Sequence, residues 1–253
     1  MNHAIPNTPN LSLVAFYGNK SPELTSLIRE LQNCITDLVG EKFVSYQLEQ
    51  VHATLLGLEG RRNSQGILNK WYWYHREETK YMDFKNLLFY LRYSGRLPII
   101  VRIGGYDRTV DYGFLSRDRH PYERSFNIQG NIAVLMGWPC RERHFSMELD
   151  RLRLEGQNFN ILHKYFKSVD TVDNDLYMRL GMFKNELSTS EIVTIEEQVQ
   201  RLVHSHLSLY LSVDINSVFF TYYQDEFLTP ETTRVIPLTE ATPEQLESIY
   251  PLL

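Results

Sequence analysis

The segment Gln50-Val51-His52-Ala53-Thr54-Leu55-Leu56-Gly57, "QVHATLLG", alternates apolar and polar residues through its first six positions. A period of two is that of a half-buried strand, so Val51, Ala53 and Leu55 share one face and His52 and Thr54 the other. An imidazole beside a hydroxyl on the open face of a strand is the feature to be explained. Upstream, "LSLVAFYG" (11–18) reads as a strand. "SPELTSLIRELQNCITDLVG" (21–40) reads as an amphipathic helix, with Ser21 as cap, Pro22 at the first position, Leu24, Leu27, Ile28, Leu31, Ile35 and Leu38 on one face, and Gly40 as the stop. Strand, helix and strand in the first sixty residues predict an α+β fold.

Residues 61–95 are rich in aromatics, and Tyr81, Phe84, Leu88 and Leu91 fit a helical core face better than a base-stacking platform. "PIIVRIGGY", "TVDYGFLSR", "NIAVLMGWP" and "DLYMRLGMF" read as strands, and "CRERHFSMELDRLRLEG" as a charged helix. "TIEEQVQRLVHS" reads as a helix opened by a capping box of Thr194 and Glu197. "HSHLSLYLSV" follows as a strand that places His206 and Ser208 on one face and Leu207, Leu209 and Leu211 on the other. "SVFFTYYQD" and "RVIPL" supply closing strands, with a short capped helix at "TPEQLESIY". A third His-x-Ser match, His144-Phe145-Ser146, lies in a stretch that reads as helical and solvated, and is set aside.

Two strands that each carry a His-x-Ser/Thr pair opposite an apolar face, 154 positions apart, resemble the 2H phosphoesterase superfamily, which is named for two such motifs. The resemblance lies in "VHATLLG" and "SHLSLYL", with support from the opening strand and helix and from "INSVFFTYYQDEFLTPETTRVIPL". It implies one bilobal α+β domain over residues 1–253, with two pseudo-symmetric lobes around a central cleft and a divergent insertion at about 61–190. It further implies a metal-independent phosphodiesterase acting on a 2′,3′-cyclic phosphate, a 2′-5′ linkage or a related nucleotide or RNA end. His52 and His206 would be catalytic, His52 giving a proton to the leaving oxygen and His206 activating water, with the roles reversed for internal attack by a ribose hydroxyl. Thr54 and Ser208 would bind the phosphate. Histidine suits both proton transfers because both of its forms are populated near neutrality. Two other readings stay open: a nucleotide- or RNA-binding module without turnover, and a metal hydrolase built on His204 and His206.

Composition sets the outer bounds. A formal net charge of −5 over 253 residues excludes a general basic coat for nucleic acid and leaves room for a small phosphate-bearing ligand or an RNA end. Cys34 and Cys140 form no Cys-x-x-Cys pair, so neither a disulfide framework nor a thiolate metal site is expected, and no cofactor is implied. "MNHAIPNTPN" has no secretory pattern and no window is apolar enough for a membrane span, so a cytoplasmic chain without membrane or obligatory protein partner is expected. Arg102 and Arg179, each interrupting an apolar strand, and Tyr17, Tyr222 and Tyr223 are secondary candidates for phosphate or base contacts.

Overall fold

The computed structural model describes residues 10–205, 207–225 and 227–252. The opening strand-helix-strand reading matches β1 (Asn10–Ala15), α1 (Pro22–Val39) and β3 (Ala53–Gly57), with the short β2 (Phe43–Ser45) before β3. Ser21 Oγ accepts the Leu24 N–H at 3.2 Å, which satisfies one of the unpaired donors of the first turn of α1. The hairpin β4 (Gly60–Asn63) and β5 (Gly66–Asn69) leads into α2 (Lys70–Arg76) and α3 (Phe84–Tyr93). Next come β6 (Ile99–Ile103), α4 (Pro121–Arg124), β7 (Phe126–Gln129), β8 (Ile132–Arg141), β9 (His144–Phe145), α5 (Glu148–Glu155) and β10 (Leu176–Phe183). The chain closes with α6 (Thr189–Ser205), β11 (Leu209–Val213), β12 (Val218–Tyr223), β13 (Thr233–Pro237) and α7 (Pro243–Ser248).

Eleven strands make one antiparallel sheet along the path β11-β6-β8-β10-β3-β1-β12-β13, with β2 on β10 and β7 and β9 on β8. Residues 61–190, which the sequence suggests as an insertion, supply β6, β8 and β10 and therefore the middle of this sheet. Alternation sends Leu11, Leu13, Ala53, Leu55, Ala133, Leu135, Leu176 and Met178 to one face. There they join Leu27, Ile28 and Leu31 of α1 and Ile195, Val199 and Val203 of α6 in the main core. Phe84, Leu88 and Leu91 of α3 belong to that core too, as the helical spacing predicts. No helix among the described residues is long and apolar enough to cross a membrane.

The structure departs from the sequence pattern in four places. Residues 109–117, expected as a strand, turn instead: Asp107 Oδ1 accepts the Thr109 N–H and Asp111 Oδ1 the Gly113 N–H, both at 2.8 Å, and Gly113 takes φ +72°. His144, expected in a helix, lies in β9, and α5 begins only at Glu148. α6 starts before Thr194, because Ser188 and Glu191 make the reciprocal cap, while Thr194 Oγ1 bonds back to the Ser190 carbonyl inside the helix. The same helix runs on through His204 and Ser205, so the strand expected to start at His204 begins only at Leu209. The spacing of Ile195, Val199 and Val203 keeps the apolar stripe of α6 on the core to that point, which favours helix over strand.

Candidate active site

β3 and β10 meet at the pair Ala53 and Met178, both fully buried on the helix-covered side. His52, expected inside this strand, stands just before it, near enough to Arg179 for the guanidinium to act on its ring; Thr54 follows Ala53 and Tyr177 precedes Met178, and all four are half-buried. Beyond this pair the two strands separate, and Arg153 of α5 fills the gap. Its guanidinium donates to the carbonyls of Leu55 (3.1 Å), Thr54 (3.0 Å), Asp173 (2.8 Å) and Asp175 (3.2 Å), replacing ladder bonds that the strands no longer make. Asp173 balances the buried charge at 3.5 Å and also pairs with His163 Nε2 at 2.8 Å.

The His52 ring is fixed from below. Its Nδ1 lies 2.5 Å from the Gln50 carbonyl, so Nδ1 carries the hydrogen and Nε2 the lone pair. Burial pushes its pKa down to about 4; the Gln50 carbonyl opposes this, and the cations of Arg179 and Lys20 add to it. The ring is therefore neutral near pH 7, with Nε2 able to accept a proton. That suits a base, whereas the resemblance implies that His52 donates. Tyr17 packs against the imidazole at 5.9 Å, with its hydroxyl donating to the Leu228 carbonyl at 2.9 Å.

Lys20 is anchored on the same 3-10 turn, Leu48–Gln50, that carries His52. Its Nζ donates to the carbonyls of Leu48 (2.5 Å) and Gly18 (2.9 Å), and the Gly18 N–H bonds the Glu49 carbonyl at 2.9 Å. Burial lowers its pKa to about 8 against the opposing charge of Glu49. Across the seam, burial raises the Tyr177 hydroxyl while Arg179, by charge and by a hydrogen bond, draws it back. The result is a neutral imidazole, two cations and two hydroxyls together on one sheet face, a donor set for an anion.

The remaining sequence candidates fall elsewhere. Ser208 precedes β11, which three strands separate from β3 along the sheet path, and lies against Gly105, where any side chain would run into Ser208 Oγ. His206 lies outside the described residues. Both ring nitrogens of His204 are committed, Nδ1 accepting from the Tyr106 N–H at 3.1 Å and Nε2 bonding Ser125 Oγ at 2.8 Å, which leaves neither for a metal. No cluster of three or more His, Cys, Asp or Glu suited to a metal occurs among the described residues. Arg102 is held by the Gly104 carbonyl at 3.2 Å and the Tyr106 ring at 4.2 Å. Tyr222 faces the core, and Tyr223 lies 3.3 Å from Ser12 Oγ. Tyr177 and Lys20 were missed by motif reading. The available signal was the polar alternation Tyr177-x-Arg179 within "DLYMRLGMF", a half-buried strand face like that of His52-x-Thr54.

No family model matches the chain, and no curated protein is similar to it. Among solved structures it is similar to the crystal structure of TT0787 of Thermus thermophilus, at 13% sequence identity and a TM-score of 0.42, over 90% of this chain and 93% of that chain.

Proposed function

We propose that the protein is a metal-independent phosphodiesterase acting on a 2′,3′-cyclic phosphate, a 2′-5′ linkage or a related nucleotide or RNA end, with its chemistry at the seam of β3 and β10. The observation that carries this reading is the Ala53–Met178 pair, which sets His52-x-Thr54 against Tyr177-x-Arg179. In the hydrolytic reaction His52 Nε2 takes a proton from water, the water oxygen bonds to phosphorus, and the ester bond opposite breaks. The leaving oxygen takes its proton from the Lys20 ammonium, so one water is added and no net charge is created on the protein. Arg179, Thr54 and Tyr177 hold the non-bridging oxygens, whose charge grows in the transition state. The bilobal arrangement belongs to this proposal, the halves being the strands on either side of the seam. The two-histidine version of the mechanism depends on His206.

A second reading is a nucleotide-binding module without turnover: half-buried Thr54, Tyr177 and Arg179 can hold a phosphate by donation alone, with no proton transferred. Purified protein assayed in chelator against 2′,3′-cyclic mononucleotides and 2′-5′-linked oligonucleotides separates the two. Turnover lost in His52→Ala supports the enzyme. Nucleotide binding that depends on Arg179, with no turnover of any of these compounds, leaves the binding module.

A further inference from the structure

α2, "KWYWYHR", carries rings at every position from Trp71 to His75, and they divide into buried and exposed sets. Trp71 and Tyr72 are buried with Leu162 and Phe166, and Trp71 Nε1 donates to Glu59 Oε2 at 2.8 Å. Trp73, Tyr74 and Tyr165 are exposed, at 44%, 66% and 47%. Tyr74 packs on His75 at 5.2 Å between ring centroids, and His75 Nε2 meets the Lys164 carbonyl at 2.9 Å, which ties Tyr74 to the segment that bears Tyr165. Ammonium groups lie among the rings, Lys70 at 4.9 Å from Trp71 and Lys164 at 5.6 Å from Tyr165. Glu77 and Glu78 are the nearby acids on α2's own segment, and Glu78 is paired with Lys80 at 3.7 Å.

We propose that Tyr74 and Tyr165, flanked by Lys70 and Lys164, form a landing surface for single-stranded nucleic acid outside the His52 site. Exposed flat rings alternating with ammonium groups match the alternation of base and phosphate in an unpaired strand, because every base offers a face to stack and every phosphate a charge to neutralise. An apolar protein partner would have to desolvate the same ammonium groups without a counter-charge. The segment bearing Tyr165 runs directly into β10, and Tyr165 lies close enough to Tyr177 for their charges to interact. A strand on this surface therefore leads toward His52. That last step rests on the phosphodiester reading, but the surface itself does not.

The test is fluorescence anisotropy with a labelled twelve-nucleotide oligouridylate, alongside turnover of a 2′,3′-cyclic mononucleotide. Tyr74→Ala and Tyr165→Ala should each weaken oligonucleotide binding about tenfold. The double variant Lys70→Gln, Lys164→Gln should flatten the salt dependence of log K by about 1.4, the share of two phosphates on a single strand. None of these variants should change mononucleotide turnover. Oligonucleotide affinity equal to that of the parent in all variants overturns the proposal, as does parent self-association that Tyr74→Ala abolishes, since a second copy would then be the occupant. Oligonucleotide binding lost in these variants, in a protein that turns over no phosphodiester, keeps the surface and rejects the activity.

Discussion

Ala53 and Met178 form the one registered pair between β3 and β10 among the described residues, and His52, just before Ala53, lies near enough to Arg179, just after Met178, for the guanidinium charge to act on the imidazole. This neighbourhood keeps the imidazole neutral beside a cation, and the proposed chemistry rests on it.

Removing the imidazole should separate chemistry from binding. His52→Ala is expected to lower kcat on a cyclic nucleotide by about 10²- to 10⁴-fold with little change in KM. Arg179→Ala is expected to raise KM as well, because a phosphate loses its guanidinium. Steady-state kinetics of both variants, with Ser208→Ala as a third, checks this. A kcat loss in Ser208→Ala equal to that in Thr54→Ala would return the site to the two-motif arrangement.

The pH profile should be wide rather than centred on ordinary histidine values. His52 must be neutral to accept a proton, so activity falls as pH drops through about 4. Lys20 must be charged, so activity falls as pH rises through about 8. kcat/KM measured across this range should show both limbs, and Lys20→Arg, whose guanidinium does not release a proton, should lose turnover and remove the alkaline limb from what remains. Two limbs spaced around 6.5 and unmoved by Lys20→Arg would assign the acid to another group.

Stability should also respond to acid in a definite direction. Burial lowers His52, His163 and His204 to about 4, and neighbouring cations add to this at all three. The unfolded chain takes up protons near 6.5, so the stability these rings contribute is complete above that pH and is lost as pH falls toward 4. Each ring adds about 1.4 kcal/mol per pH unit to the slope inside the window. Urea midpoints at several pH values test this, and His204→Gln should reduce the slope.

Arg153 should be among the least replaceable side chains. Arg153→Met removes a buried cation from Asp173 and donors from the carbonyls of Thr54, Leu55, Asp173 and Asp175. A loss of about 3–5 kcal/mol is expected, as for one partner removed from a buried pair. Denaturant unfolding measures it. A loss under about 1 kcal/mol would show that the seam closes without the guanidinium.

The sequence alone determined the elements whose signal is local. Ser21, Pro22 and Gly40 bound α1, the period of two marks β1, β3 and β10, and Thr242 with Gln245 caps α7. It also identified His52-x-Thr54 as a polar strand face, because alternation is written in consecutive residues. What it could not supply was strand order. Two His-x-Ser/Thr stretches look equivalent along the chain, yet only the tertiary structure sets β10 beside β3 and puts three strands between β3 and β11. Register across a seam is fixed by packing between residues more than a hundred positions apart, and no local pattern encodes it. The same holds for Lys20, whose place beside His52 follows from the carbonyls of Gly18 and Leu48, and for Arg153, whose charge is tolerated only because two diverging strands leave four carbonyls unmet.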